Sequence, residues 1–255
     1  MIKAGVCSVS FKQKAPKEVI ELVSKTKLRG IEWIGNTHVP PNDIENAKKV
    51  GEMTRTAGLE VASYGSLFRL GANDDVVPYL ETACALGAKD IRIWAGAGTK
   101  PSFEYTKDER SSLIYEAISI CSIARDFGIT ISTECHDMSL TDCAESQLRF
   151  MQEVNQDNFF TYWQEILTLS KEDQDSSLLR IHDSGKLRNI HVYQYKILPE
   201  GRERQLIKEG FGKWKKRFDK LKKDTAERYA LIEFVKNNSD EAFLDDANTL
   251  LELLS

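Results

Sequence analysis

The sequence predicts an α/β chain folded as a single-domain (β/α)8 TIM barrel over residues 1–255. Short runs rich in β-branched and aromatic residues alternate with longer helical runs from end to end. Eight strand–helix pairs can be counted, and 255 residues is a length at which an α/β barrel forms one domain. An open doubly wound sheet shows the same alternation, but the count of eight favours the barrel.

The strand runs are bounded by Gly, Asp or Asn, which favour turns. The eight predicted strands are residues 2–10, 30–35, 60–65, 90–96, 129–135, 158–164, 187–195 and 228–235. The helical patterns are residues 16–28, 42–57, 75–87, 107–127, 142–155, 172–182, 211–224 and 239–254. Several helices end at a glycine, which the left-handed residue after a helix favours. Residues 196–212 carry neither pattern, and we expect a long loop there.

Composition excludes several classes of protein. The net charge of −4 argues against a nucleic-acid binder, which usually has a basic face. Lys213–Lys223 is the exception, and its spacing predicts an amphipathic helix with Trp214, Phe218 and Leu221 inward and lysines in solvent. No GxGxxG or GxxxxGK[ST] motif is present, so the usual nucleotide-binding fingerprints are missing. Five cysteines without a CxxC pair, no signal-peptide pattern and no apolar run of membrane length predict a cytoplasmic protein.

In a barrel of this kind the active site lies at the carboxyl ends of the strands and in the loops that follow them. That rule selects a small set of candidates from the strand map. In chain order they are Glu32, Trp33, His38, Tyr64, Arg69, Trp94, Glu134, His136, Trp163, Gln164, His191, Tyr193, Gln194 and Glu233.

Three of these candidates stand out chemically. Glu134 ends the apolar run ITISTE, and Glu233 lies inside ALIEF. A carboxylate in such a run is costly unless it is paired, hydrogen-bonded or bound to a metal. With His191 they would offer two carboxylates and one imidazole nitrogen, a set that suits Mn, Mg, Co or Zn.

Each candidate also has a structural interpretation. Glu233 could pair with a Lys or Arg inside the barrel, and His191 could be a hydrogen-bonded core histidine. His38 lies in a loop with two prolines and could bind a ligand or only shape the loop. The tryptophans at 33, 94 and 163 could pack the barrel or cover the apolar face of a sugar.

At these residues the chain resembles the xylose isomerase-like TIM-barrel superfamily, often labelled sugar phosphate isomerase/epimerase. The resemblance covers nearly the whole chain, and its stretches are specific together, in their order on the strands. They are GIEWIGNTHVP at 30–40, YGSLFRLG at 64–71, LGAKDIRIWAG at 86–96, TECHDMSLTD at 133–142, YWQ at 162–164, RNIHVYQY at 188–195 and LIEFVKN at 231–237.

The resemblance implies a divalent metal held by Glu, Asp, His and Glu from strands five to eight. Glu134, His191 and Glu233 match the two glutamates and the histidine, and Gln164 falls at the aspartate position. A neutral amide there is expected to lower the affinity for a hard dication. Substrate contacts are expected from a further group of side chains. They are His136, Arg69, Trp94, Tyr64, Glu32, His38, Trp163 and Tyr193, with Arg69 a candidate for a phosphate or carboxylate.

The function that the resemblance implies is a metal-assisted isomerase or epimerase of sugars, sugar phosphates or polyols. One glutamate removes a proton next to a carbonyl to give an enediolate, and the other returns a proton. Glu134 and Glu233 fit these roles by strand position. The expected partner is a small carbohydrate or polyol, with neither nucleic acid nor membrane, and a homo-oligomer is compatible with the family.

Three other functions stay open on the sequence. A lyase or dehydratase of the same superfamily would share the proton abstraction and then expel a β-hydroxyl. A DNA-repair nuclease of the superfamily would need more zinc ligands than four histidines and an acidic chain offer. A non-catalytic sugar-binding barrel is suggested by Gln164 at the position of a metal-binding aspartate.

Overall fold

A computed structural model describes residues 1–96, 98–221 and 225–255 of the chain. Its strands are β1 (Ile2–Cys7), β2 (Gly30–Ile34), β3 (Glu60–Arg69), β4 (Asp90–Trp94), β5 (Thr130–Glu134), β6 (Phe159–Trp163), β7 (Leu187–Val192), β8 (Gln194–Leu198), β9 (Gly201–Gln205) and β10 (Arg228–Ile232). Its α-helices are α1 (Pro16–Val23), α2 (Ile44–Thr56), α3 (Val77–Leu86), α4 (Lys107–Asp126), α5 (Ala144–Val154), α6 (Lys171–Asp183), α7 (Phe211–Leu221) and α8 (Asp240–Leu254).

Eight of the strands close into a parallel barrel in the order β1-β10-β7-β6-β5-β4-β3-β2, and the eight α-helices surround it. The chain is therefore a single (β/α)8 TIM barrel, as the sequence predicted. Closure joins the first strand to the last, with Ile2 opposite Arg228 and Val6 opposite Ile232. The described part of the chain contains no helix long and apolar enough to cross a lipid bilayer.

Most helices lie within two residues of their predicted bounds, but α1 ends at Val23 and not at residue 28. Thr106 accepts a hydrogen bond from the Glu109 backbone while Glu109 reaches back to the Thr106 backbone, so α4 starts with a capping box. Gly87 ends α3 in the left-handed region, at φ 89°. Helix α7 buries the predicted apolar face. The last residues predicted for that helix, 222–224, lie outside the described residues.

The structure corrects the prediction in the region after the seventh barrel strand. Residues 196–212 are not a loop: β8 and β9 pair as an antiparallel hairpin, and a 3₁₀ turn, Ile207–Gly210, follows. Leu198 faces Gly201 across a two-residue turn, and Gly201 has φ 143°, which an L side chain disfavours. Charged residues on both faces of β9 hide the alternation that marks a strand half-buried against a core.

Five barrel strands also end two or more residues from the prediction, and two of them stop early, β4 at Trp94 and β10 at Ile232. β1 ends at Cys7 and is followed by a 3₁₀ turn, Ser8–Phe11, so its last predicted residues are not extended. β3 continues to Arg69, and β7 ends at Val192, which leaves Tyr193 between the barrel and the hairpin.

The barrel interior is polar where it supports the site, whereas the layer between strands and helices is apolar. Asp90 accepts hydrogen bonds from Thr130 at 2.6 Å, Ser132 at 2.7 Å and the Tyr162 hydroxyl at 2.8 Å. Asn189 donates to the same hydroxyl at 2.6 Å. These buried polar groups satisfy one another, and so they fix the strands that carry the charged residues above them.

Candidate active site

A cavity of about 380 Å³ opens at the carboxyl ends of the barrel strands. This is the face on which barrel enzymes of this fold carry their active sites. Its lining includes charged, aromatic and amide side chains from strands and loops along the chain. They are Lys12, Arg69, Arg92, Trp94, Glu134, His136, Asp137, Gln164, Glu165, Tyr193, Tyr195, Arg202 and Glu233.

Glu134 and Glu233 line this cavity, and both converge on His191, which is fully buried beneath them. His191 Nδ1 lies 3.5 Å from Glu134 Oε1 and 3.5 Å from Glu233 Oε2. All three side chains are buried, and one ligand atom from each lies within 4.8 Å of the others. The strand rule thus brings together the three residues that the sequence singled out.

Gln164 completes this group from the end of β6. Its Nε2 donates to the Cys135 carbonyl at 2.8 Å, which fixes the orientation of the amide. Its Oε1 therefore faces His191 Nδ1, at 3.2 Å. The residue at the expected aspartate position thus presents an oxygen, although a neutral one.

Glu32 contacts the second ring nitrogen of His191. His191 Nε2 lies 3.2 Å from Glu32 Oε1, and the Ser63 hydroxyl donates to Glu32 Oε2 at 2.7 Å. A carboxylate on the second imidazole nitrogen fixes the ring orientation in many metal sites. Glu32 is fully buried and does not line the cavity, so the structure places it beneath the site and not against a substrate.

Arg92 is the important residue that the sequence reasoning missed. Its guanidinium pairs with Glu134 and, at 3.1 Å, with Glu32, and all three groups are almost completely buried. A signal was available, because DIRIW places Asp90 and Arg92 on the same face of a short strand. Gly65 makes room for this pairing: a Cβ there would lie 2.8 Å from Arg92 Nη2 and 3.2 Å from Glu32 Oε1.

These contacts shift the pKa values of the two glutamates in opposite directions. Burial acts to raise the pKa of Glu134, but Arg92 and His191 outweigh it and hold that pKa below its ordinary value. Burial raises the pKa of Glu233 to about 7, helped by the charge of Glu134. Burial acts to lower the pKa of His191, and Glu233 and Glu32 overcome it and raise that pKa to about 10.

The donor set fits a divalent cation. Glu233 Oε2 is buried and takes part in no hydrogen bond with the described residues, although it points toward His191. A buried carboxylate oxygen without a donor is costly and calls for a cation or a bound group. Two carboxylates, an imidazole nitrogen and an amide oxygen are ligands that Mn, Mg, Co and Zn accept.

Four of the predicted substrate contacts line the cavity. The Arg69 guanidinium carbon lies 3.7 Å from the centroid of the Trp94 ring, and the Trp94 and His136 ring centroids are 4.4 Å apart. Tyr193 lies on the wall and donates its hydroxyl to the Glu165 carbonyl. These side chains form an aromatic and cationic wall above the carboxylates.

Three predicted substrate contacts lie elsewhere. His38 is buried in the loop after β2, with ring nitrogens at hydrogen-bonding distance from Ser8 Oγ and from the Phe11 and Lys14 carbonyls. Tyr64 is fully buried and donates to the Val39 carbonyl. Trp163 points outward from β6, where its Nε1 donates to Ser177 and its ring packs on Trp214. None of the three lines the cavity: strand alternation directs Tyr64 and Trp163 into the layer between barrel and helices, and its contacts with Ser8, Phe11 and Lys14 hold His38 away from it.

Comparison with known proteins identifies the family. The family model described as xylose isomerase-like TIM barrel matches residues 20–253. The chain therefore belongs to the xylose isomerase-like TIM-barrel family, as its resemblance implied. Among curated proteins, none matches this chain in sequence.

Solved structures share the whole fold at low sequence identity. The probable 3-DHS dehydratase AsbF, involved in petrobactin synthesis in Bacillus anthracis, has a TM-score of 0.79 at 17% identity, over 98% of this chain and 99% of that one. The D-allulose 3-epimerase of a Methylomonas species has a TM-score of 0.73 at 14% identity, over 99% and 98%. A xylose isomerase-like barrel from Mycobacterium smegmatis, in complex with magnesium, has a TM-score of 0.74 at 12% identity, over 100% and 97%.

Proposed function

We propose that this protein is an isomerase or epimerase of sugars, sugar phosphates or polyols, and that it moves a proton beside a carbonyl group. The observation that carries the proposal is that two buried carboxylates, Glu134 and Glu233, line one cavity and each lie 3.5 Å from the same nitrogen of His191 beneath it. The strands that carry them have β6 and β7 between them, so the two carboxylates reach the cavity from different sides.

The reaction needs a base on one side of the substrate carbon and an acid on the other. One glutamate takes the α-proton, which gives an enediolate, and the other returns a proton to the opposite face or to the neighbouring carbon. A divalent cation held by Glu134, Gln164, His191 and Glu233 would stabilise negative charge on the substrate oxygens.

The remaining residues of the site hold these groups in place. Arg92 binds one oxygen of Glu134, which leaves the other oxygen directed toward His191. Glu32 fixes the imidazole from below. Trp94 and Tyr193 place aromatic rings on the cavity wall, where a sugar carbon chain can contact them.

Proton transfer is tested directly by solvent-deuterium incorporation. Aldoses, ketoses, their phosphates and polyol-derived ketones would be incubated in D₂O with Mn²⁺, Mg²⁺, Co²⁺ or Zn²⁺, and deuterium next to the carbonyl would be followed by NMR. Glu134→Gln and Glu233→Gln should each lower the exchange rate by roughly a thousandfold or more, since each removes a proton carrier and an anionic ligand. Glu21→Gln, on the exposed face of α1, is the control and should match wild type. Full activity in either site variant would overturn the assignment.

The metal is tested by elemental mass spectrometry on the purified protein. About one Mn, Co, Zn or Mg per chain is expected for a single site with this donor set, and Glu233→Gln should lose it. Wild-type protein that takes up no metal from excess Mn²⁺ would contradict the metal-assisted mechanism and leave metal-free proton transfer or a binding role.

A dehydratase is the second candidate, and the fold shared with the probable dehydratase AsbF favours it. The same base would abstract the α-proton, and a β-hydroxyl would then leave as water. Cyclic and linear hydroxy-keto acids would be screened for a product with new ultraviolet absorbance. Such a product without solvent-deuterium exchange into recovered substrate would favour the dehydratase over the epimerase.

A further inference from the structure

The charged side chains that line the cavity form two groups, one buried and one less buried. Apart from Glu233, the buried ones compensate one another: Arg92 pairs with Glu134 and Glu32, and Glu165 pairs with Lys213 at 2.8 Å and with Arg217 at 2.6 Å. The less buried lining has a different balance. It contains three cations, Lys12, Arg69 and Arg202, and one acid, Asp137.

Arg69 is held in a fixed orientation within this less buried lining. It ends β3, and its guanidinium stacks on Trp94, which in turn stacks on His136. Gly98, at φ 73°, lets the chain pass close by, since a Cβ there would lie 3.0 Å from Arg69 Nη1. A guanidinium held by stacking loses little freedom on binding, and its planar fork matches two oxygens of a carboxylate or a phosphate.

The position of Arg69 relates this group to the catalytic carboxylates. Burial lowers the pKa of Arg69, and the charge of Glu134 partly offsets it, so the two groups share one electrostatic environment. Both line the same cavity of about 380 Å³. An acidic group at Arg69 would therefore leave the rest of a small substrate over Glu134 and Glu233.

The hairpin supplies further positive charge on the same cavity. The Arg202 guanidinium carbon, on β9, lies 5.0 Å from the centroid of the Tyr195 ring, on β8, and both residues line the cavity. Lys12 reaches it from the turn after β1. Both cations are exposed, so they would attract an anion at long range but bind it more weakly than Arg69 does.

We propose that the substrate of this site is an acid, a sugar acid or sugar phosphate, whose carboxylate or phosphate binds the stacked guanidinium of Arg69. The inference builds on the proposed function, because it takes the Glu134–Glu233 site as the place of reaction. It narrows the substrate class from carbohydrates in general to those that carry an anionic group.

Matched ligand pairs test the proposal by titration calorimetry in low salt with Mg²⁺ present. D-fructose 6-phosphate against D-fructose tests a phosphate, and D-gluconate against D-glucitol tests a carboxylate. At least one anionic probe should bind roughly tenfold or more tightly than its neutral match, the range that a charge-assisted hydrogen-bonded pair gives. The pair that shows the difference tells the two acids apart.

Three variants assign the difference to Arg69. Arg69→Gln should abolish the preference for the anion, and Arg69→Lys should keep part of it, because it retains the charge without the planar fork. Arg29→Gln is the control, since Arg29 is exposed before β2, at the opposite end of the barrel, and pairs with Glu60. It should bind both pairs as the wild type does.

Several results would overturn the proposal: equal binding of anionic and neutral probes, no binding of either anionic probe, or a preference that survives Arg69→Gln. The calorimetry reads binding without turnover, so the two proposals can fail separately. Anion binding through Arg69 with full exchange activity in Glu134→Gln would remove the reaction and keep the anion site. Loss of deuterium exchange in the glutamate variants, with no preference for the anionic probes, would keep the proposed reaction and remove the anion site.

Discussion

Arg92 links the stability of the barrel to its chemistry at the scale of a single residue. Among the described residues, Arg92 is the only Arg or Lys that forms an ion pair with Glu134 or with Glu32. A buried carboxylate that loses its partner keeps the full cost of its lost hydration. The same side chain therefore carries part of the folding free energy and holds Glu134 in place.

Arg92→Met should lower the free energy of unfolding by about 3–5 kcal/mol, the range for a broken buried ion pair. Urea denaturation followed by circular dichroism measures it. Arg92→Met combined with Glu32→Gln should recover part of the loss, because one uncompensated charge is removed. Arg149→Met, which breaks an exposed pair with Glu153, is the control and should cost less than about 1 kcal/mol. An Arg92 variant no less stable than this control would contradict the role.

Gln164 allows a second prediction about a single residue. Its oxygen faces His191, so Gln164→Glu places a carboxylate where the neutral amide now lies. Affinity for Mn²⁺ should rise by roughly tenfold or more, because a hard dication prefers a charged oxygen. Gln164→Leu should bind Mn²⁺ more weakly than wild type. Calorimetry that gives one affinity for all three proteins would show that residue 164 is not a ligand.

The candidate site was partly predictable from single residues. Glu134, His191 and Glu233 stood out because acidic or basic groups in apolar strands at one end of a barrel must meet. Arg92 was missed because its effect depends on pairing with Glu32 and Glu134, which are distant in the chain. Tyr64 and Trp163 were misplaced because membership of a strand does not tell which face of it is inside.

At the scale of elements, the hairpin of β8 and β9 differs from the barrel strands. Those strands pair on both sides and are mostly buried, whereas β8 and β9 pair only with each other and are mostly exposed. Local opening costs least where few buried contacts must be broken. The hairpin should therefore open without unfolding the barrel.

Hydrogen exchange followed by mass spectrometry checks this expectation. Amides of residues 195–204 should exchange roughly a hundredfold faster than those of β5, β6 and β7. An anionic ligand that contacts Arg202 should slow the hairpin and leave the exchange of α2, on the other side of the barrel, unchanged. Protection of the hairpin equal to that of the barrel strands would mean that it is part of the core.

The hairpin also shows which elements the sequence could not reveal. The barrel strands were found because burial against helices gives them continuous apolar runs. β9 reads GRERQ and buries no apolar side chain, so it has no such pattern. Its strand conformation comes from the pairing with β8 and from the turn at Gly201, which only the folded chain brings together.

At the scale of the whole molecule, stability should depend on pH through a group far from the site. Burial raises the pKa of Asp246, in α8, to about 7, although a hydrogen bond from the Ile207 amide acts against it. Between its unfolded value near 4 and about 7 the folded state holds a proton that the unfolded state releases. This contribution to stability is therefore present at low pH and lost as the pH rises through 7.

Asp246→Asn removes that titration and can keep the bond from Ile207. Thermal denaturation with EDTA, at pH 5 and at pH 8.5, should show the variant becoming more stable relative to wild type by at most about 3 kcal/mol as the pH rises, since about two pH units separate pH 5 from the folded pKa of about 7 and each is worth about 1.4 kcal/mol. Glu252→Gln, on the exposed side of α8, is the control. Identical pH profiles for wild type and Asp246→Asn would show that Asp246 has an ordinary pKa.

The pairing of β1 with β10 has a consequence for how the chain is made. Ribosomes release β1 long before its hydrogen-bonding partner, Arg228–Ile232. Until then β1 has an open edge, and an open parallel edge can recruit strands from other nascent chains. The barrel can therefore close only after residues 228–232 have been made. Slow translation between β7 and β10 would lengthen the interval in which the edge of β1 is exposed and raise the demand for chaperones.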